Sequence, residues 1–246
     1  MRTASWFRRF HESAAETVLV CFPHAGGSAS YFHPVSRGLS PRLDVLAIQY
    51  PGRQDRRREP CIEDIGTLAD RVTKELLLQS DDRPMMFLGH SMGSVVAFEV
   101  TRRLEAEGIS PAALFASGRR APSCVRNETL HRESDRALIA EVRRLGGVDP
   151  QVLDDPELLN IILPAIRGDY IAIMTYRCVP GSMIDAPVFA LVGDADPHVT
   201  VDEAMLWKGH TNGPFELSVF PGGHFFLNQH APAVMQKIVE NIPSPP

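Results

Sequence analysis

The sequence predicts an α/β fold with a mostly parallel central sheet and helices on both faces. Short runs that are apolar at every position recur along the chain, as in parallel strands that are buried on both faces. Segments with helical spacing of apolar residues alternate with these runs, which is typical of strand–helix–strand units. Polar and glycine-rich motifs follow the runs. Because the carboxyl ends of parallel strands meet at one edge of a sheet, we expect the functional residues at that edge.

The first half of the chain supplies most of the predicted strands. Residues 1–16 carry Trp6, Phe7 and Phe10 among arginines, so we expect an edge segment that packs its aromatic side chains onto the domain. Apolar runs predict strands over 17–22, 43–49, 85–88 and 112–116. Apolar spacing predicts helices over 30–39, 62–76 and 94–104.

A segment from about 121 to 185 breaks this alternation, and no strand is predicted in it. Ser134 is the expected N-cap of a helix that stops at Gly146. A second helix opens at Asp155-Pro156 and is expected to be kinked or interrupted at Pro164, with a further helix from Gly168 through Tyr176. We interpret this segment as a mobile helical lid over the carboxyl edge of the sheet.

The alternation resumes after the lid. Apolar runs predict strands over 187–192 and 215–220, with a helix over 201–209 between them and a closing helix through Val234 and Val239. No internal repeat or linker divides the chain. We therefore expect a single domain over residues 1–246.

The composition is that of a soluble globular protein, with 44% hydrophobic and 22% charged residues. The net charge of −5 gives no general attraction to nucleic acid or to an anionic membrane. The four cysteines are scattered, and Cys21 lies inside an apolar run as a buried small hydrophobe. The N-terminus has no apolar h-region, and no run approaches the length of a membrane span. We expect a reduced, cytoplasmic, monomeric enzyme with no nucleic-acid or membrane partner.

The motif Gly89-His90-Ser91-Met92-Gly93 stands between the predicted strand at 85–88 and the helix that follows it. A serine flanked by two glycines at this spacing, in a turn from strand to helix, has the G-x-S-x-G pattern of a nucleophile elbow. Side chains at the two glycine positions would collide with the neighbouring strand and helix. Ser91 is the predicted nucleophile, held in a strained conformation at a helix N-terminus. The alternative is an idle serine in a tight turn.

A general base is expected downstream of the serine. His224 follows Gly222-Gly223 at the end of the last predicted strand, and the chain order Ser, Asp, His is that of α/β-hydrolases. His224 would take the proton of Ser91. Other histidines are less suited to be the base. His90 is next to the nucleophile, where consecutive side chains diverge, and His24 is expected to order its own loop. His198 and His230 are expected on a loop or helix surface.

Two aspartates compete for the role of the acid. Asp194 and Asp196 follow the predicted strand at 187–192, and their spacing points both side chains the same way on an extended backbone. One would fix the tautomer of His224 and stabilise its imidazolium form. The other would hold the turn through hydrogen bonds to backbone amides. Spacing does not choose between them.

Stabilising a tetrahedral intermediate requires two backbone amides aimed at its oxyanion. Met92, directly after the nucleophile, is predicted to supply the first. The second is expected from His24-Ala25-Gly26-Gly27, whose small residues allow close approach, and Ala25 is the predicted donor. The alternatives are a simple tight turn or a phosphate-binding loop, but G-x-G-x-x-G and a Walker lysine are both missing.

Together these motifs resemble the stand-alone (type II) thioesterases that accompany polyketide and nonribosomal peptide synthases. The matching motifs are Phe22-Pro23-His24-Ala25-Gly26-Gly27-Ser28, Gln49-Tyr50-Pro51-Gly52-Arg53, Gly89-His90-Ser91-Met92-Gly93, Gly193-Asp194-Ala195-Asp196-Pro197 and Gly222-Gly223-His224-Phe225-Phe226. They span nearly the whole chain in the family's order.

The resemblance implies an α/β-hydrolase fold with a helical lid, and it implies that Asp196 is the acid. It further implies hydrolysis of acyl groups from the phosphopantetheine arm of acyl or peptidyl carrier proteins, which clears stalled or wrongly primed chains. No metal or redox cofactor is required. The alternatives are a small-molecule esterase or lipase, an acyltransferase or cyclase, and a non-catalytic binding module, which would not need Ser, Asp and His together.

A carrier protein of this kind presents an acidic helix, as the resemblance implies, so attraction to a net negative enzyme needs a local basic patch. Two groups of arginines follow strand ends at the expected edge: Arg53, Arg56, Arg57 and Arg58, and Arg119, Arg120 and Arg126. Arg53 is alternatively a structural hydrogen-bonding residue. A solvated charged loop is the other interpretation of either group.

Overall fold

A computed structural model of the protein describes residues 6–79 and 83–244, which form a seven-stranded sheet in the order β1-β3-β2-β4-β5-β6-β7. The strands are β1 (Phe7–Arg8), β2 (Val18–Phe22), β3 (Asp44–Ile48), β4 (Met85–His90), β5 (Ala113–Ser117), β6 (Val188–Gly193) and β7 (Phe215–Phe220). The helices are α1 (His33–Leu39), α2 (Ile65–Gln79), α3 (Met92–Ala106), α4 (Asp135–Leu145), α5 (Pro150–Asp154), α6 (Pro156–Thr175), α7 (Val201–Met205), α8 (Phe226–Gln229) and α9 (Ala231–Glu240).

Strands β2 to β7 are parallel, and only β1 runs antiparallel, with Phe7 opposite Ile48 on β3. The predicted mostly parallel sheet is therefore confirmed. The predicted aromatic edge segment contains β1, and both Phe7 in this strand and Trp6 just before it are buried. Residues 1–5 of the predicted segment lie outside the described part of the chain.

The pleat of the sheet divides its side chains between two apolar layers. On β2, Val20 packs into the layer that contains the inner faces of α2 and α3. Its neighbour Cys21 faces the opposite layer, which includes apolar residues of α1 and α9. Cys21 is a fully buried free thiol, as expected, and burial raises its pKa. Helices therefore cover both faces, and β4, which carries the elbow, lies inside the sheet.

The segment between β5 and β6 is helical, as expected, and comprises α4, α5 and α6. Ser134 caps α4 by accepting a hydrogen bond from the Ala137 amide, and Gly146 ends it in a left-handed conformation, with φ 80°. Both predicted signals are confirmed. Of the two effects expected of Pro164, the interruption is wrong, because α6 is one helix from Pro156 to Thr175 with no separate helix from Gly168. A kink at Pro164 stays a prediction. Asn160 and Pro164 are exposed, so water can satisfy the carbonyl that the proline leaves without a donor.

Helix α6 also corrects the expectation about membrane-length segments. Among the described residues it alone has the length and composition to cross a membrane, with a mean hydropathy of 1.3. Its second half, however, packs into the core through Ile166, Ala172 and Ile173, among others. Its first half exposes Leu158 and Ile161. Burial in the core therefore accounts for the apolar residues of the second half of α6, and not for Leu158 and Ile161.

Candidate active site

Strand β4 ends at His90 and α3 begins at Met92, so Ser91 alone makes the turn, with φ 54° and ψ −118°. A Cβ atom at Gly89 would collide with the carbonyl of Gly93, and one at Gly93 with the carbonyl of Phe22. The two glycines are therefore a steric requirement of the elbow. The Ser91 amide donates to the Ser117 carbonyl at 2.7 Å, which ties the turn to β5. The elbow stores strain at a serine, as the sequence predicts.

The Ser91 hydroxyl lies 2.9 Å from Nε2 of His224. On the other side of that ring, Nδ1 lies 2.8 Å from Oδ2 of Asp196. The side chains of His224 and Asp196 are 5% and 0% exposed, so water does not compete for this contact. Such a chain of hydrogen bonds can move the hydroxyl proton to the imidazole while the carboxylate stabilises the resulting charge.

Asp194 has the second of the two roles that the sequence left open, which is to hold the turn. It is exposed, and its Oδ1 accepts a hydrogen bond from the Gly222 amide at 2.9 Å. The turns after β6 and β7 approach so closely that a Cβ at Gly193 would lie 2.5 Å from the Gly223 carbonyl. Asp194 thus ties the two turns together, and Asp196 contacts the histidine.

The segments of the predicted oxyanion hole adjoin each other. Strands β2 and β4 are neighbours with Phe22 opposite Gly89, so the loop after β2 lies beside the elbow. We call residues 24–28 the oxyanion loop. Met92 is the first residue of α3, and its amide therefore has no acceptor within the helix. Ala25 precedes Gly26, whose amide donates to Oδ2 of Asp169 at 2.7 Å.

Asp169 was not among the residues that sequence analysis selected. It lies on α6 and forms a bidentate ion pair with Arg53, at 2.6 Å from Nη1 and 2.9 Å from Nη2. The two side chains are 7% and 1% exposed for Arg53 and Asp169 respectively. Burial disfavours the Arg53 cation, but the charge and hydrogen bonds of Asp169 outweigh it and raise the pKa of Arg53. Arg53 therefore occupies a structural position, which is the alternative interpretation of this residue.

His24 and His90 are buried close to His224: the ring centres of His90 and His224 are 5.3 Å apart, and those of His24 and His90 are 6.0 Å apart. His90 Nδ1 lies 3.0 Å from the Ser117 hydroxyl, so its ring is not directed at Ser91. Burial, followed by the charges of His224 and Arg53, lowers the pKa of His24 to about 3. Burial and nearby histidines likewise hold the pKa of His90 well below its usual value. Both rings are therefore neutral packing residues. Within residues 6–79 and 83–244, no three His, Cys, Asp or Glu side chains group to hold a metal ion.

His198 lies in the turn after β6, and it is only partly exposed, in contrast to the expected surface position. Its side chain is 18% exposed, and Nε2 lies 2.6 Å from Oε1 of Glu141 on α4. The His198 amide donates to Oδ1 of Asp196 at 2.8 Å, and its ring centre lies 5.4 Å from that of His224. Burial lowers the pKa of His198, against the opposing effect of Glu141. His198 thus connects the helical segment to the turn that carries Asp196.

Most arginines of the two predicted patches are not free to meet a partner. Arg56 is 4% exposed beneath Glu59, and Arg120, equally buried, pairs with Glu128 at 2.7 Å. Arg126 donates to Glu203 at 2.9 Å. Arg119 is half-buried, and burial and the adjacent cation of Arg120 lower its pKa to about 9.

Two members of the first patch remain at the surface. Arg57 and Arg58 are exposed and form no ion pair with a described residue. They follow the carboxyl end of β3, which lies at the same edge of the sheet as Ser91.

Comparison with known proteins identifies the family. The family model described as a thioesterase domain matches residues 17–242. The probable cadicidin biosynthesis thioesterase of Streptomyces griseus is 52% identical over 96% of this chain, which spans 66% of that protein's length. Thioesterase PikA5 of Streptomyces venezuelae is 46% identical over 96% of this chain and 85% of its own length.

A solved structure agrees with both fold and family. The type II thioesterase BorB from the borrelidin biosynthetic cluster superposes with a TM-score of 0.90 at 48% identity, covering 98% of this chain and 99% of BorB. The resemblance to type II thioesterases and the expected α/β-hydrolase fold are confirmed. The chain belongs to the thioesterase family.

Proposed function

We propose that this protein hydrolyses acyl thioesters on the phosphopantetheine arm of acyl or peptidyl carrier proteins, as an editing enzyme of a polyketide or nonribosomal peptide assembly line. The observation that carries the proposal is the contact of His224 with both Ser91, at 2.9 Å, and Asp196, at 2.8 Å. Membership of the thioesterase family supports a thioester as the bond that is cleaved. The biosynthetic roles named for the relatives support the kind of pathway.

In the proposed acylation step, Ser91 Oγ attacks the thioester carbonyl carbon and His224 Nε2 accepts the hydroxyl proton. Asp196 orients the ring and stabilises the imidazolium. Negative charge then develops on the carbonyl oxygen, where the Met92 and Ala25 amides would stabilise it. When the tetrahedral intermediate collapses, the C–S bond breaks. A thiol with a pKa of about 8.5 leaves readily as its thiolate, so little acid catalysis is needed for the bond to break. The thiolate then takes up the proton held by His224, which leaves the product thiol and a neutral imidazole for the next step.

In the proposed deacylation step, water attacks the ester carbonyl of the acyl-Ser91 intermediate. His224 accepts a proton from this water, and the same two amides stabilise the second oxyanion. Collapse of the intermediate releases the carboxylic acid, and Ser91 recovers its proton from His224. The enzyme returns to its starting state, with water as the only co-reactant.

We place the docking site of the carrier protein beside Arg57 and Arg58. These side chains are exposed, unlike the other arginines that follow β3. An acidic carrier helix would find complementary charge there despite the net charge of −5. This position leaves the phosphopantetheine arm on the same edge of the sheet as Ser91.

The proposed function is tested by incubating the protein with a panel of acylated carrier proteins and measuring their intact mass over time. We expect loss of the acyl mass with the phosphopantetheine arm left in place. Faster cleavage of an oxygen-ester analogue than of the thioester would instead indicate an esterase. Transfer of the acyl group to an added nucleophile in preference to water would indicate an acyltransferase. Binding without turnover would indicate a non-catalytic module.

A further inference from the structure

Asp169 connects α6 to the loop that is proposed to stabilise the oxyanion. We propose that Asp169, together with Arg53, is a positioning residue that sets the backbone of the oxyanion loop and makes its geometry depend on the docking of α6. This inference rests on the proposed function, because it concerns how the Ala25 amide is aimed.

The carboxylate of Asp169 divides its hydrogen bonds between the loop and the arginine. Its Oδ2 accepts from the Gly26 amide at 2.7 Å and from Arg53 Nη1 at 2.6 Å. Its Oδ1 accepts from Arg53 Nη2 at 2.9 Å. The Gly26 nitrogen belongs to the peptide unit that directly follows Ala25. The carboxylate therefore fixes the plane of the peptide next to the proposed oxyanion donor.

Arg53 holds the other side of the same loop. Its Nη1 donates to the Gly27 carbonyl at 3.3 Å, and its Nη2 donates to the Pro51 carbonyl at 3.0 Å. The backbone carbonyl of Arg53 accepts from Gln49 Nε2 at 3.1 Å. Gln49 Oε1 in turn accepts from the Ala29 amide at 2.9 Å. The C-terminal end of the oxyanion loop and the residue that follows it are thus attached to the segment after β3.

Helix α6 also contacts the loop directly. Gly26 has φ +75°, and a Cβ atom there would lie 2.7 Å from Cγ1 of Ile166. Asp169 follows Ile166 by less than one helical turn, so packing and hydrogen bonding act on the same peptide. A displacement of α6 would break the Gly26 bond and leave Arg53 buried without its counter-charge. The proposed oxyanion hole is consequently complete only while this part of α6 is docked.

Asp169→Asn tests the inference, with Asp44→Asn as a matched control. Asp44 is also a carboxylate that is 1% exposed, and it accepts from Arg9 at 2.7 Å and Arg83 at 3.0 Å. It lies at the start of β3, on the edge opposite Ser91. For both variants we would measure kcat and KM on a small acyl thioester and on a p-nitrophenyl ester. We would also measure the affinity for an acyl trifluoromethyl ketone, because its adduct with the enzyme carries an oxyanion. The midpoint of urea unfolding reports the stability of each variant.

We expect Asp169→Asn to lower kcat about 10²-fold with little change in KM, the scale for a misplaced catalytic group. The ketone affinity should fall in parallel, because its adduct uses the same amides. Asp44→Asn should lose stability without these losses. Equal kcat and ketone affinity in the two variants would overturn the inference.

If Asp169→Asn does not fold, Asp169→Glu and Arg53→Lys provide the same readouts with charge retained. A kcat of Asp169→Glu below that of the wild type, with a matching loss of ketone affinity, supports the positioning role of Asp169. A kcat equal to that of the wild type in both variants overturns this role. Failure of the proposed function is distinguishable, because the wild type would then cleave only the p-nitrophenyl ester. In that case the positioning role of Asp169 would still be tested by the kcat of the variants on the p-nitrophenyl ester.

Discussion

The Asp196 carboxylate lies 2.8 Å from Nδ1 of His224, whereas Asp194, two residues earlier, bonds to the Gly222 amide at 2.9 Å. The side chain of Asp196 is fully buried, and Asp194 is exposed. Because a buried carboxylate beside an imidazole controls its tautomer and charge, the two aspartates have separable roles.

Asp196→Asn is expected to lower kcat by on the order of 10³–10⁴, since an amide stabilises the wrong tautomer of His224. Asp194→Asn keeps an oxygen that can accept from Gly222 and should mainly change stability. Steady-state kinetics and urea unfolding of both purified variants provide the measurement. A larger kcat loss in Asp194→Asn than in Asp196→Asn would contradict the assignment.

Ser91→Ala is expected to remove turnover by several orders of magnitude, because no other group would form the acyl-enzyme. A serine-directed phosphonate should label the wild type once, at Ser91, and leave Ser91→Ala unlabelled in intact mass spectra. Thermal unfolding of the variant serves as the folding control. Labelling of another residue in the wild type, with Ser91 unmodified, would show that the nucleophile lies elsewhere.

His24 is expected to make the protein sensitive to acid. Burial lowers its folded-state pKa from 6.5 to about 3, so between these pH values the unfolded chain binds a proton that the folded chain excludes. Its contribution to stability is therefore complete above about pH 6.5 and is lost as the pH falls. The loss amounts to about 2 kcal/mol near pH 5.

The free energy of unfolding of wild type and His24→Gln, measured by urea titration from pH 7.5 to 5, tests this expectation. The difference between the two proteins should shrink as the pH falls, because the variant lacks the titrating group. The control is His33→Gln, which replaces an exposed histidine. Parallel pH profiles for wild type and His24→Gln would refute the prediction.

Hydrogen exchange is expected to divide α6 into two parts. Ile166 and Asp169 are buried in its second half, whereas Leu158 and Ile161 in its first half are 42% and 52% exposed. The first half, with α4 and α5, should therefore exchange faster than the second half and slow down once Ser91 is acylated. Equal protection along α6 and α4 would mean that none of this segment acts as a lid.

The double substitution Arg57→Glu with Arg58→Glu is expected to raise KM for an acyl-carrier protein severalfold. A small acyl thioester should be unaffected, and the effect should diminish as salt rises, because exposed charges are screened. Arg37→Glu with Arg42→Glu is the matched control, since both are exposed and Arg42 lies just before β3. Equal effects of the two pairs on KM would remove the docking site from the surface around Arg57.

The sequence by itself determined the parallel α/β class, the elbow and its partner His224. These follow from local rules. Short runs without polar residues suit only strands that are covered on both faces. A turn as sharp as that from β4 to α3 requires residues without a Cβ atom, which are Gly89 and Gly93 in this chain. The N-cap at Ser134 is equally local, because a side chain bonds to an amide three residues away.

Only the tertiary structure decided which residues are buried and which distant groups meet. Spacing could not separate Asp194 from Asp196, because both project the same way from an extended chain and only the turn after β7 distinguishes them. Asp169 and Arg53 are 116 positions apart, so no local pattern marks their contact. The sequence predicted that Arg120 belongs to a basic surface patch, whereas the structure buries its side chain in an ion pair with Glu128. Local sterics are encoded within a few residues, whereas burial and pairing depend on how whole elements pack.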